Sequence, residues 1–271
     1  MDTNRRLLSA AVRAVFICLL ALGGGVSCDR AAAGGEPGKA QSAGASHMAK
    51  GEAAEQKGRY ADALAAYQKA ATLINKEKDP KAWTVPANKV ALMHWHMASC
   101  EKAEELHTEV LGLREKRFGP EAAETAESLN NLAQLLKDTN RLTEAEPLMR
   151  RALAMGEASF GKDHPKVAIR LNNLARLLQD TNRLAEAEPL MRRALAMDEA
   201  SFGKDHSDVA IDLNNLATLH KETDRLAEAE PMMKGALRIM EDSLGREHPN
   251  SVTVMKNLAI LQKEIEKGKE P

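Results

Sequence analysis

From residue 129 onward the apolar positions of this chain fall at helical spacing. Leu129, Leu132, Ala133 and Leu136 sit at i, i+3, i+4 and i+7, one face of a helix, and Leu142, Ala145, Met149, Ala152 and Leu153 form a second stripe beyond a turn at Thr139 and Asn140. The pattern predicts two antiparallel helices. It then returns every 42 residues: Leu129-Asn130-Asn131-Leu132-Ala133 recurs as Leu171-Asn172-Asn173-Leu174-Ala175 and Leu213-Asn214-Asn215-Leu216-Ala217, with an echo at Met255-Lys256-Asn257-Leu258-Ala259. Phe118-Gly119, Phe160-Gly161, Phe202-Gly203 and Leu244-Gly245 mark the ends of the units. A fixed period of this size means stacked supersecondary units. Between residues 141–164 and 183–206 only Thr143/Ala185 and Gly156/Asp198 differ, so these two units have barely diverged.

Local chemistry sharpens the element boundaries. Ala133, Ala145 and Ala152 stand where helices must approach closely, while Leu and Met fill the space between. Pro147, Pro189 and Pro231 put the start of each second helix close before them, or else bend it. Asp163-His164-Pro165 offers a capping carboxylate, from Asp163, followed by proline in the first turn. Residues 251–267 read as a final single helix whose Lys and Glu side chains give the array a polar end. Aromatic residues are only 3% of the chain, and Ala, Leu, Met, Glu, Lys and Arg dominate, which favours an all-α fold over a sheet or sandwich.

Near the front, residues 58–70 (GRYADALAAYQKA) carry the Gly, Tyr, Ala, Tyr and Ala spacing of the tetratricopeptide consensus, with Gly51 at its small position. The later units, with their LNNLA, EAEPL, RAL and DHP elements, resemble the tetratricopeptide repeats of the kinesin light chain family. The resemblance covers residues 47–267 and implies a right-handed α-solenoid of five helix pairs plus the final helix. The second unit, built on Ala87-Asn88-Lys89-Val90-Ala91 and Ala103-Glu104-Glu105-Leu106, departs most from the pattern.

At about 100° per residue, Asn130, Gln134 and Lys137 fall together beside the apolar stripe of their helix, as do Asn172, Arg176 and Gln179, and Asn214, Thr218 and Lys221. These nine residues form a polar strip. The resemblance implies that the first helices line a concave groove and that Asn130, Asn172 and Asn214 contact a bound peptide. A primary amide both donates and accepts, so a column of Asn can grip an extended backbone. Asn also costs roughly 0.5 kcal/mol against Ala in a helix, so its repetition calls for a reason. That reason can equally be structural, an amide fixing one helix to the next, and this reading is favoured for Asn131, Asn173 and Asn215. Lys137 and Arg176 would suit an acidic ligand. Trp95, at the strip position of the second unit, is either an aromatic anchor or a cover for a poorly formed repeat.

The first residues read as an address. Arg5, Arg6 and Arg13 precede a short apolar run at residues 14–22, which gives residues 1–27 the layout of a signal peptide. Gly25-Val26-Ser27-Cys28 resembles a bacterial lipobox, which implies lipidation of Cys28; cleavage by the ordinary signal peptidase after Ser27 or Ala33 is the rival. Residues 28–46, rich in Gly, Ala and Ser, then form a flexible tether, followed by the array at 47–267 and a tail at 268–271. The protein is expected to be exported, and anchored in a membrane through Cys28 or else soluble in the periplasm or outside the cell.

The net charge of -1 gives no general attraction for nucleic acid. Cys18, Cys28 and Cys100 make no paired spacing, and Cys100 reads as a small buried apolar residue. His164, His206 and His248 recur with the repeat and so read as loop residues that cap or pack; His94 and His96 point to different sides of one helix. No metalloprotease, phosphate-loop or nucleophile-elbow motif is present. The sequence therefore predicts no enzyme, cofactor or metal, but a scaffold for a protein or extended peptide; the alternative is an envelope-assembly lipoprotein that recruits an enzyme or a secretion or pilus complex.

Overall fold

The computed structural model describes residues 39–267, and these are helical throughout apart from short turns. Two compact units divide the described residues, one ending at Met155 and one beginning at Gly156. The leader at 1–27, Cys28, residues 29–38 and the tail at 268–271 lie outside the described residues.

The first unit holds α1 (Lys39–Glu55) with α2 (Tyr60–Thr72), α3 (Pro80–His96) with α4 (Cys100–Phe118), and α5 (Ala123–Asp138) with most of α6 (Leu142–Phe160). Helix α1 begins at Lys39, inside the stretch expected to be a tether, so residues 39–46 are helix. Ala40, Ala43 and Ala45 are strong helix formers, so the helix extends back through Gly44. Ala54, Ala63, Tyr67, Val90 and Met93 make one core cluster of this unit, and Ala126, Leu129, Ala152 and Met155 another.

The second unit holds α7 (Pro165–Asp180) with α8 (Leu184–Phe202), α9 (Ser207–Glu222) with α10 (Leu226–Leu244), and α11 (Pro249–Lys267). Its core runs from Val209, Ala210 and Ala217 through Met233, Ala236 and Met240 to Val254 and Leu261. The last helix starts at Pro249, slightly earlier than expected, and exposes Met255 and Ile260 among its Lys and Glu side chains. Among the described residues there are thus five helix pairs and a final single helix.

The turns explain why the period is kept. Within each pair the chain reverses through one residue of positive φ: Gly58 (67°), Ala98 (58°), Asn140 (65°), Asn182 (60°) and Asp224 (59°). Asn and Asp tolerate this left-handed conformation better than other non-glycine residues. Between pairs the same task falls to Gly119, Gly161, Gly203 and Gly245. Each second helix starts at Leu142, Leu184 or Leu226, a little over one turn before its proline, and continues through it.

At the later first helices the recurring histidines cap, as one of their two expected roles, and at α7 this displaces the carboxylate expected from Asp163. His164, not Asp163, is the N-cap of α7, and its Nδ1 accepts from the backbone N–H of Lys166 at 3.1 Å. His206 does the same for Asp208 at 3.2 Å, and His248 for Asn250 at 3.2 Å. Pro165 and Pro249 take the first helical position after His164 and His248, whereas Ser207 does so after His206; in all three Nδ1 stands about as far from the main chain as the oxygen of an Asn or Asp. Phe160 and Phe202 stack on His164 and His206 with centroids 5.0 and 4.5 Å apart, holding each ring in its capping pose.

Candidate binding strip on the first helices

In the first unit the strip falls on α5. Asn130 is buried, whereas Gln134 and Lys137 are half-buried. The neighbouring Asn131 donates from Nδ2 to Oδ1 of Asn88 on α3 at 3.2 Å, and Asn88 in turn donates to Glu127 at 3.3 Å. Two first helices are therefore joined by amides one repeat apart. This is the structural use of asparagine expected for the Asn131 column.

The second unit shows the same device on α7, α9 and α11. Asn172 is buried and donates to Oδ1 of Asp212. Asn214 has no exposure at all and accepts from Nδ2 of Asn257 at 3.0 Å. Further along the same faces Gln179 donates to Glu222 at 2.8 Å and Lys221 pairs with Glu264 at 3.4 Å. Thr218 returns its hydroxyl to the carbonyl of Asn214, a bond within its own helix. Asn173 and Asn215, the second asparagines, are buried as well.

Asn172 and Asn214 thus spend hydrogen bonds on stacking one repeat against the next. The half-buried strip side chains are Gln134 and Lys137 in the first unit, and Arg176, Gln179, Thr218 and Lys221 in the second. The amide and cationic heads carry more than one donor each and can donate hydrogen bonds to a carbonyl or carboxylate, while the Thr218 hydroxyl, whose one proton goes to the Asn214 carbonyl, can accept one. Nearby acids, Asp138 beside Lys137 and Glu264 beside Lys221, keep the strip from being purely basic.

The aromatic and histidine candidates resolve into packing. Trp95 is buried with Ala103 and Leu135, so it covers the second repeat from within. His96 stacks on Tyr60 with centroids 4.6 Å apart. His107 is buried on α4, and burial next to Arg114 lowers its pKa to about 4, so the ring stays neutral. Cys100 is only half-buried, at the first position of α4. Among the described residues no three His, Cys, Asp or Glu side chains gather where a metal ion could be held, and no helix is long and apolar enough to cross a membrane.

An open cleft of about 470 Å³ lies between α1 and α2, lined by His47, Lys50, Arg59, Asp62 and Lys69. Its residues come from the turn at Arg59 and from the two helices it joins, whose facing sides the sequence pattern of the front repeat leaves unassigned.

A tetratricopeptide repeat model matches residues 82–158, 138–200, 173–241 and 208–267, and a second matches 29–82. The chain belongs to the tetratricopeptide repeat family. Among solved structures the tetratricopeptide chain is similar to BtubC (BKLC) from P. vanneervenii, with 21% identity, 90% of this chain and 93% of that one covered, and a TM-score of 0.64. It is also similar to the kinesin light chain nearly identical TPR-like repeats from Podosopora anserina, at 18% identity, 74% and 96% coverage and a TM-score of 0.57. A variant form of the latter aligns at 17% identity, 73% and 95% coverage and a TM-score of 0.58. At these identities the likeness is one of fold. No curated protein matches the sequence.

Proposed function

We propose that this tetratricopeptide protein is a scaffold that holds an extended segment of a partner protein along its first helices, at the cell envelope, tethered to a membrane through Cys28. The observation that carries the reading is the division of labour on α7 and α9. Buried amides at Asn172 and Asn214 lock successive first helices in register, and the half-buried Arg176, Gln179, Thr218 and Lys221 stand further along the same faces. A rigid support with donor groups at a fixed repeat suits a strand of peptide, whose carbonyls also recur at a fixed spacing. Repeat arrays of this family are protein-interaction scaffolds, and the fold supports that role here.

The location is tested by fractionating cells that produce the wild-type chain or Cys28→Ser, with a radiolabelled fatty acid supplied. Label on the wild type alone, together with loss of Cys28→Ser from the membrane fraction, supports the anchor. Equal membrane recovery without label removes it and leaves the scaffold reading standing.

A further inference from the structure

The two nearly identical units differ at Gly156/Asp198, and the structure gives that difference a partner. Asp198, near the end of α8, meets Asp212 on α9, with the two carboxyls in hydrogen-bond reach of each other. Both are buried, at 4% and 1% exposure. Oδ1 of Asp198 and Oδ2 of Asp212 have no hydrogen-bond donor, while the other oxygen of Asp212 accepts from Asn172 on α7.

The same two positions can be followed through the array by its 42-residue period. One repeat earlier they are Gly156 and Arg170, and the Arg170 side chain runs through the space that a β-carbon on Gly156 would meet, 3.0 Å from its Cδ. Two repeats earlier they are Arg114 and Ser128, hydrogen-bonded at 3.1 Å. One repeat later they are Met240 and Val254, both fully buried in one apolar cluster. Each of these pairs fills the gap between a second helix and the next first helix with compatible groups. The Asp198–Asp212 pair instead brings two acids together, a contact that closes only when a proton lies between the oxygens.

We infer that the α8–α9 junction is a proton-dependent joint: it is tight while Asp198 and Asp212 share a proton, and it loosens when that proton leaves to solvent. Burial, and then repulsion from neighbouring carboxylates, push both acids well above the usual carboxylate range. The groups acting on the pair are Asp208 in the first turn of α9, itself 3.6 Å from His206, and the neutral amide of Asn172 from α7. Arg170 on α7 lies along Phe160 and donates to the Lys166 carbonyl. No group of α10 or α11 is among those that shift either acid. Because Asp212 also seats Asn172, the joint connects to the strip on α7. A folded-state pKa above the unfolded one means that stability is fully present below the ordinary carboxylate range and is lost as pH rises toward and through neutrality.

The test compares thermal unfolding of the full chain from about pH 5 to about pH 8.5, read by circular dichroism, in wild type, Asp198→Asn and the double variant Asp198→Gly/Asp212→Arg. The amide of Asp198→Asn donates to Asp212 without needing a proton. The double variant installs the pair already accommodated by Gly156 and Arg170, so it remains informative if the single variant fails to fold. The wild-type midpoint is expected to fall by several degrees as pH rises, and the fall should be reduced at least twofold in each folded variant. Histidine contributions are common to all three chains and cancel in the comparison. An undiminished fall in the folded variants, or no fall in the wild type, overturns the joint.

Discussion

The ring of Tyr67 lies over Gly51 so closely that a β-carbon at that glycine would come within 2.4 Å of ring carbon Cε1 and 2.6 Å of Cδ1. Tyr67 has no room to retreat, because it is fully buried and its hydroxyl donates to Glu55 at 2.5 Å. Gly51 is therefore where α1 comes close to α2. Gly51→Ala is expected to cost about 2 kcal/mol, as overpacking in a closed core does, and chemical denaturation followed by circular dichroism checks it. An unchanged midpoint would mean that the two helices separate freely.

The opposite change applies at Ala98, which turns the chain between α3 and α4 with φ of 58° where the other repeats place Gly, Asn or Asp. A methyl side chain in the left-handed region costs roughly 1 kcal/mol or more, partly offset by the greater unfolded freedom of glycine. Ala98→Gly should raise stability by about 0.5–1 kcal/mol in the same denaturation assay.

Between second helices the joints are ionic. Both terminal nitrogens of Arg225 grip Glu188, at 3.0 and 2.7 Å, and Arg192 adds a contact at 2.7 Å; hydrogen bonding chiefly to Arg225 lowers the Glu188 pKa to about 2. In the first unit one terminal nitrogen of Arg141 reaches both carboxylate oxygens of Glu104, at 2.6 and 2.8 Å, while its other nitrogens bond Glu144. With Glu188 partly exposed, Glu188→Gln is expected to cost about 1 kcal/mol at neutral pH. The sign follows from the lowered pKa: this stability is present above the ordinary carboxylate range and disappears as pH falls toward about 2. Wild type and variant should therefore converge in unfolding midpoint at strongly acidic pH.

The two units should answer acid differently. His107 in the first unit is buried and neutral, with a pKa lowered to about 4, so its contribution is present above its unfolded value and is lost as pH falls through about 4. The Asp198–Asp212 pair of the second unit shifts the other way. Between neutral and mildly acidic pH, amide exchange corrected for intrinsic rates should thus speed up in α4 and slow down in α8 around Asp198, while on α9 the buried His220, whose pKa burial lowers, opposes the effect of Asp212. His107→Leu should remove much of the acid sensitivity of α4.

How much of this was readable beforehand depended on where the partners lie. Helices, pairing and repeat count follow from stripes such as Leu129, Leu132 and Leu136, because their period and their packing partners sit inside one repeat. The roles of Asn172 and Asn214 were not settled by the same stripes, since Asp212 and Asn257 lie one repeat away and only stacking brings them together. Asp163 looked like the cap because carboxylates usually are; proline position and the Phe160 stack gave the place to His164. Gly156/Asp198 stood out as a bare difference, but its meaning needed Asp212 opposite.

The central claim, that the first helices hold a partner, is tested most directly by photo-crosslinking in the envelope. The full chain would be compared with a variant in which Arg176, Gln179, Thr218 and Lys221 are all changed to Ala, after circular dichroism shows equal helix content. The account predicts a defined crosslinked partner on the wild type, with a yield at least tenfold lower on the variant, equivalent to about 1.4 kcal/mol of binding or more. An equal yield from both chains would contradict it and move binding away from this strip.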